Sequence, residues 1–167
     1  DAALEAELSA EPALMPQVEL HLRRGELARD ELAQSTLAQQ HFSAALQSSP
    51  GHLPALLNLE AGYHPGRDDE ALCSTLGQLA AALGEPDFVI DAHLRRANCF
   101  ERLGRHTEGL SVLPAVVALR PLHIEALRGL ETLALRQGDR DLLAQLDERL
   151  ARAEEDPKLV ALHLSRL

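Results

Sequence analysis

The chain has 167 residues, of which 46% are hydrophobic and only 2% aromatic, and its formal net charge at pH 7 is −10. The length is ample for a folded core, and the Leu- and Ala-rich composition favours helices over β-sheet. The acidic charge argues against a nucleic-acid partner, since phosphate binding requires a clear excess of Lys and Arg. No apolar run reaches the roughly 18 residues that cross a bilayer, so no membrane span is expected.

Three helices are predicted in the first 50 residues. Residues 1–11 predict a short amphipathic helix, and a longer helical segment runs from residue 14 to residue 33. Gly25 interrupts that segment, either as a hairpin turn or as a glycine tolerated inside a helix. We favour the second interpretation, which places the hairpin turn at Gln34-Ser35, before a third helix that Pro50 ends.

A second helix pair is predicted between residues 53 and 84. Its first helix is followed by the turn His64-Pro65-Gly66-Arg67, in which proline and glycine are typical turn residues. Either Asp68 or Asp69 is expected to cap the next helix by accepting a hydrogen bond from an unpaired backbone amide.

A third helix pair lies within residues 91–121, where Gly104 separates two helices and Pro121 ends the second. Pro114 lies inside that second helix. Because proline lacks an amide hydrogen and clashes with the carbonyl of Leu110, a kink or a locally broken turn is predicted. The helical spacing rests on Leu94, Ala97, Phe100 and Leu103 before the turn, and on Leu110, Leu113, Val116 and Val117 after it.

A fourth pair turns at Gly138-Asp139, and the segment 158–167 begins another helix. Apolar residues surround much of this last helix, which leaves apolar surface exposed in an isolated chain. Either the helix lies flat over the last hairpin, or the natural protein continues. The exposed surface also suggests self-association through this helix. The residues concerned are Leu159, Val160, Leu162, Leu164 and Leu167.

These pairs recur with a regular period. Prolines at positions 50, 86, 121 and 157 are 35 or 36 residues apart, and turn glycines stand at 66, 104 and 138. The third pair resembles a tetratricopeptide repeat (TPR), a helical hairpin of about 34 residues. The resemblance rests on Ala97, Phe100, Gly104, Gly109, Val116 and Pro121. The expected repeats are approximately 14–50, 51–86, 87–121 and 122–157, in a single domain 1–167 with a terminal helix 158–167.

The resemblance implies an all-α, right-handed superhelical solenoid of antiparallel helix pairs, with about four repeats plus a C-terminal helix. It also implies a non-enzymatic scaffold whose first helices line a concave groove that binds a peptide or a protein segment. The alternative is a TPR module of a larger enzyme or export machine, such as a glycosyltransferase, sulfotransferase, hydroxylase or polysaccharide secretion pore. By analogy with the family, the groove residues are Asn58, Arg95, Asn98, Arg102, Arg128, Thr132 and Arg136.

The four arginines of this set could hold carboxylates through paired, charge-assisted hydrogen bonds, which suggests an acidic partner. The alternative is that they only solvate a helix face. Some TPR proteins grip chaperone tails with a clamp of Lys, Asn and Arg, and Asn58, Arg95 and Arg23 lie at or near such positions. The clamp lysines are missing here, since Asp91 replaces one and Lys158 is the chain's only lysine.

No metal or cofactor is expected from the sequence. The eight histidines lie in different predicted helices and turns, without a HExxH motif or a Cys/His spacing typical of a zinc site. Cys73 and Cys99 have no CxxC spacing and are expected to be buried packing residues. Catalytic motifs such as GxSxG and phosphate-binding glycine loops are also absent.

Overall fold

The computed structural model describes residues 17–154 and 157–165, and within these residues the regular secondary structure is helical. The predicted all-α class is therefore confirmed, whereas the helix predicted over residues 1–11, together with residues 14–16 and Leu167, lies outside the described residues. The helices are α1 (Gln17–Asp30), α2 (Ser35–Ser48), α3 (Leu53–Gly62), α4 (Asp69–Ala82), α5 (Pro86–Arg102), α6 (His106–Ser111), α7 (Leu113–Leu119), α8 (Ile124–Gln137), α9 (Arg140–Ala153) and α10 (Pro157–Leu164).

The chain divides into two compact units, Asp1–Tyr63 and His64–Leu167, which we call the N-terminal and C-terminal units. The N-terminal unit contains α1 to α3, and the C-terminal unit contains α4 to α10. The predicted repeat 51–86 therefore contributes one helix to each unit. That residues 1–167 form a single domain stays a prediction, as does the right-handed superhelix.

The N-terminal unit is built on the close packing of α1 against α2, with α3 packed on α2. Gly25 lies in the middle of α1 and is buried, which confirms it as a helical glycine rather than a turn. A Cβ atom at Gly25 would lie 2.4 Å from Cε1 of Phe42, whose side chain is only 1% exposed. The small residues Ala28, Ala38 and Ala45 are also buried in this interface, so the two backbones can approach closely.

The turn between α1 and α2 contains no glycine, although its backbone needs a left-handed residue. Ala33 provides it with a φ of 51°, a conformation that is unfavourable for residues with a Cβ atom. The amide of Gln34 then donates to the carbonyl of Ala28 at 2.8 Å. This hydrogen bond satisfies one of the carbonyls left unpaired at the end of α1.

The C-terminal unit has a continuous apolar core that runs from α5 to α9. As expected from Pro114, the second helix of the third pair is broken, and α6 ends at Ser111 while α7 begins at Leu113. Gly104 provides the predicted turn, with a φ of 72°. The core residues are Ile90, Leu110, Leu113, Val116, Val117, Ala126, Leu127, Leu130, Ala134, Leu146 and Leu150.

The expectation that Asp68 or Asp69 caps α4 is wrong. Asp68 is the residue before the helix, but its side chain makes no capping hydrogen bond. Its Oδ2 atom instead accepts from the amide of His64 at 3.0 Å, and Oδ2 of Asp69 accepts from the amide of Gly66 at 3.1 Å. Both carboxylates therefore stabilise the turn that precedes the helix.

The C-terminal helix α10 packs against α9, as expected for a helix lying on the last hairpin. Its apolar surface is only partly covered, because Leu162 and Leu164 are 50% and 55% exposed. Among the described helices, none combines the length and the apolar character needed to cross a membrane.

Replacing Gly25 with alanine should destabilise the protein, because the new methyl group would collide with the buried ring of Phe42. Overpacking of this kind costs about 1–3 kcal/mol and alanine gains about 1 kcal/mol in helix propensity, so the expected net loss is up to about 2 kcal/mol. Urea unfolding followed by circular dichroism measures the difference. Gly62→Ala is the matched control, since the nearest side-chain atom would lie 3.7 Å from its Cβ. Equal effects of the two substitutions would contradict the close approach of α1 and α2.

Candidate functional site

Six of the seven residues predicted to line the groove lie on two helices of the C-terminal unit, and all six are exposed. Helix α5 carries three of them at intervals of three and four residues, and α8 carries three at intervals of four, so each set shares one helix face. Asn58 belongs to α3 of the N-terminal unit, and its place beside the others stays a prediction. The two sets are Arg95, Asn98 and Arg102 on α5, and Arg128, Thr132 and Arg136 on α8.

Two small hollows flank Asn98, which lines both of them. The arginine hollow, with a volume of about 110 Å³, is lined by Pro65, Leu72, Leu76, Arg95, Asn98, Cys99 and Arg102. The glutamate hollow, with a volume of about 150 Å³, is lined by Leu94, Ala97, Asn98, Glu101, Gly109, Leu110, Leu113, Glu125 and Gly129. Each hollow combines aliphatic side chains with a pair of like-charged groups, positive in the first and negative in the second.

The glutamate hollow depends on two glycines that bring helices close together. A Cβ atom at Gly109 would lie 3.1 Å from the carbonyl oxygen of Ala97, and one at Gly129 would lie 2.2 Å from Cδ1 of Leu113. Larger residues at these positions would push α6 and α8 away from their neighbours or fill the hollow. Helix packing and the shape of the surface are therefore set by the same residues.

Arg102 forms the best-buried ion pair among the predicted groove residues. Its Nε and Nη2 atoms donate to Oδ1 of Asp69 at 2.8 and 2.6 Å, and the Asp69 side chain is only 7% exposed. The hydrogen bond from Arg102, followed by the one from the amide of Gly66, lowers the pKa of Asp69 below its ordinary value. Arg102 therefore ties the end of α5 to the start of α4, which is a structural task.

Two further groove arginines also have carboxylate partners within the chain. Nη2 of Arg128 donates to Oε2 of Glu154 at 2.6 Å, and this glutamate side chain is only 11% exposed. Arg95 lies 3.5 Å from Asp91 in an exposed pair four residues apart on the same helix. Such exposed helical pairs contribute only about 0.3–0.5 kcal/mol to stability.

The remaining predicted residues differ in how freely they can bind a partner. Asn98 and Arg136 are exposed and make no hydrogen bond or ion pair with other residues that the structure describes. Thr132 donates its hydroxyl to the carbonyl of Arg128 at 3.0 Å within α8. Asn58 donates to the carbonyl of Pro54 at 3.0 Å and accepts from Arg29. Asn98 and Arg136 are thus the groups best able to hydrogen-bond to an incoming ligand.

Both cysteines are buried and unpaired, as expected. Cys99 lines the arginine hollow, and Nη2 of Arg102 lies 3.0 Å from its sulfur. Burial nevertheless raises the pKa of the Cys99 thiol above its ordinary value. Since the thiolate is the nucleophilic form, this cysteine is suited to packing rather than to chemistry.

The sequence analysis singled out Arg102 but not its pairing with Asp69, and it singled out neither Arg105 nor Arg120. Three arginine–carboxylate pairs join residues that are 33 or 35 positions apart, which is close to the 35- or 36-residue spacing of the prolines. A search for opposite charges one repeat apart would have found them. The pairs are Asp69 with Arg102, Glu70 with Arg105, and Asp87 with Arg120. The glutamates of the second hollow carry no such signal.

Comparisons with known proteins support the fold. No protein-family model matches the chain, and no curated protein matches it in sequence. The crystal structure of MamA superposes with a TM-score of 0.52 at 17% identity, over 92% of this chain and 86% of MamA. The structure of YrrB, described as a TPR protein with an unusual peptide-binding site, gives a TM-score of 0.37 at 14% identity, over 99% of this chain and 98% of YrrB. The chain therefore has an all-α, TPR-like fold.

Asp69→Asn should destabilise the protein at neutral pH, and the loss should disappear in acid. Because the folded state lowers the pKa of Asp69, the ionised carboxylate contributes stability above the unfolded pKa of about 3.9. That contribution is lost as the pH falls through the lower, folded pKa. Urea unfolding of wild type and variant from neutral pH downward should therefore show a constant difference that shrinks only below about pH 4.

The exposed Asp91→Asn substitution is the matched control, with an expected effect of less than about 0.5 kcal/mol at neutral pH. If the difference between wild type and Asp69→Asn persisted unchanged into strong acid, the Asp69–Arg102 pair would not be its source.

Proposed function

We propose that this TPR-like chain is a non-enzymatic interaction module whose C-terminal unit binds an extended peptide segment across α5 and α8. The observation that carries the proposal is the pair of small hollows of opposite rim charge on either side of Asn98. Their volumes, about 110 and 150 Å³, fall below the roughly 300–1,000 Å³ of pockets that enclose small molecules. Hollows of this size suit single side chains of a peptide.

Asn98 is placed to pair with a peptide backbone between two inserted side chains. Its amide offers two donors and an acceptor, and these are not used by other described residues. The backbone amides and carbonyls of an extended peptide cannot hydrogen-bond to one another. Each of these groups that becomes buried on binding therefore needs a hydrogen-bond partner on the protein. The exposed amide between two hollows meets this need.

The rims of the hollows indicate the composition of the peptide. In the arginine hollow, Arg95 lines the same surface as Leu72 and Leu76, which suits an aliphatic residue followed by a carboxylate, while Arg102 keeps its pair with Asp69. In the glutamate hollow, two carboxylates lie beside aliphatic side chains, which suits a lysine or arginine whose stem packs while its charge pairs. The proposed partner therefore carries both acidic and basic residues.

Arg136 is proposed to extend this surface along α8. Arg128 already pairs with the largely buried Glu154, so a partner carboxylate would have to share its donors. Arg136 has no ion pair among the described residues and can offer its full fork of donors. A carboxylate of the partner beyond the two hollows is therefore expected at Arg136 rather than at Arg128.

The test is selection from a library of random linear peptides, followed by affinity measurement on the selected sequences. Asn98→Leu should weaken binding at least about tenfold, because it removes the backbone partner and crowds both hollows. Arg136→Glu should weaken the binding of peptides with a distal carboxylate by a similar factor. Both residues are exposed, so folding should be nearly unaffected.

Arg149→Glu is the matched control, since it makes the same charge change on the exposed surface of α9. Its affinity should equal that of the wild type. Failure to enrich any peptide, or equal weakening by Arg149→Glu and Arg136→Glu, would reject the proposed surface.

A further inference from the structure

Three potential metal ligands from three successive helices converge in the C-terminal unit. They are Glu131 of α8, Asp147 of α9 and His163 of α10, and one ligand atom of each lies within 4.8 Å of those of the other two. Nδ1 of His163 lies 2.8 Å from Oδ1 of Asp147. The three residues are 16 positions apart in sequence, about one helix and one turn, so no local motif reveals them.

The site is enclosed by protein. Asp147 is 2% exposed and His163 5% exposed, and Glu131 is half-buried. Leu146 and Leu150 flank Asp147 on its helix and belong to the apolar core. Two carboxylates and one imidazole therefore bring together, at close range and mostly out of solvent, ligand groups that a divalent cation can bind.

We propose that Glu131, Asp147 and His163 bind a divalent transition metal, with zinc as the best match. Zinc takes imidazole nitrogen and carboxylate oxygen together, whereas magnesium and calcium prefer oxygen ligands alone. Bonds of about 2.0–2.1 Å place tetrahedral ligand atoms about 3.3 Å apart. The three ligand atoms need to move by at most roughly 1.5 Å to reach that spacing.

The metal would act as a structural clamp. Helix α10 has only eight residues, and His163 is its one buried residue, whereas isolated helices of this length are unstable in water. A metal bound to α8, α9 and α10 would fix this helix on the last hairpin. Three protein ligands leave the fourth tetrahedral position to a water molecule. Because Asp147 and His163 are buried, a substrate has little access to the ion, which favours a structural role.

The first experiment uses the wild-type chain, stripped of metal with a chelator and then titrated with cobalt(II). The expected result is a strong visible absorption typical of tetrahedral cobalt, saturating at one ion per chain and lost when zinc is added. Zinc at a hundredfold excess over its dissociation constant should raise Tm by about 5–10 °C. Absence of the cobalt absorption, or a Tm that is insensitive to both zinc and chelator, would overturn the proposal and leave the cluster as an ion pair.

Substitution of single ligands tests where in the chain the ion binds. His163→Gln and Glu131→Gln should each weaken zinc affinity at least about 100-fold, since even partners outside the ligand shell contribute about 10–100-fold. The controls are His106→Gln, which changes an exposed histidine, and His41→Gln. His41 lies in the N-terminal unit with its Nδ1 atom 3.3 Å from that of His21, so these two imidazoles could bind an ion of their own. Zinc binding that is unchanged by His163→Gln, or abolished by His41→Gln, would reject the assignment.

Discussion

The close approach of neighbouring helices at glycine positions is the constraint on which the rest of the structure depends. A Cβ atom would overlap an aromatic ring at Gly25 and a leucine methyl at Gly129, and at Gly109 it would lie 3.1 Å from a backbone carbonyl oxygen. Helices packed this closely bury a core made largely of leucine and alanine, which a chain with 2% aromatic residues needs for its stability. The two hollows beside Asn98 are only as large as single side chains, so helix packing limits what this part of the surface can recognise.

The arginines serve two purposes that compete. Arg102 and Arg128 hold carboxylates that are mostly buried, and these pairs tie consecutive helices of the chain to each other. A ligand that drew either arginine away would leave a buried acid without its partner. The net charge of −10 also opposes the approach of a strongly acidic partner. A peptide of mixed charge avoids both difficulties, since it adds pairs at the rims without dismantling those within the chain.

Residue type and spacing predicted the fold well because its helices and turns are each formed by residues close together in the sequence. The helix pairs, the turns at Gly104 and Gly138, the helical Gly25 and the break near Pro114 all follow from residue type and spacing. Prediction failed where a distant residue decided the outcome. Aspartate is a residue type that often caps helices. The carboxylate of Asp69 nevertheless accepts its hydrogen bonds from Arg102, 33 positions later, and from the amide of Gly66. The hollows and the cluster around His163 depend in the same way on residues from several helices, which no single stretch of sequence shows.

The break before Pro114 has a consequence for the surface. Leu110 and Leu113 both line the glutamate hollow, one on each side of the interruption at Val112. The proline removes the helical hydrogen bond that would have connected residue 114 to the carbonyl of Leu110. Leu110 and Leu113 therefore reach the hollow from two separate helices, and Val116 and Val117 anchor the second of these helices in the core.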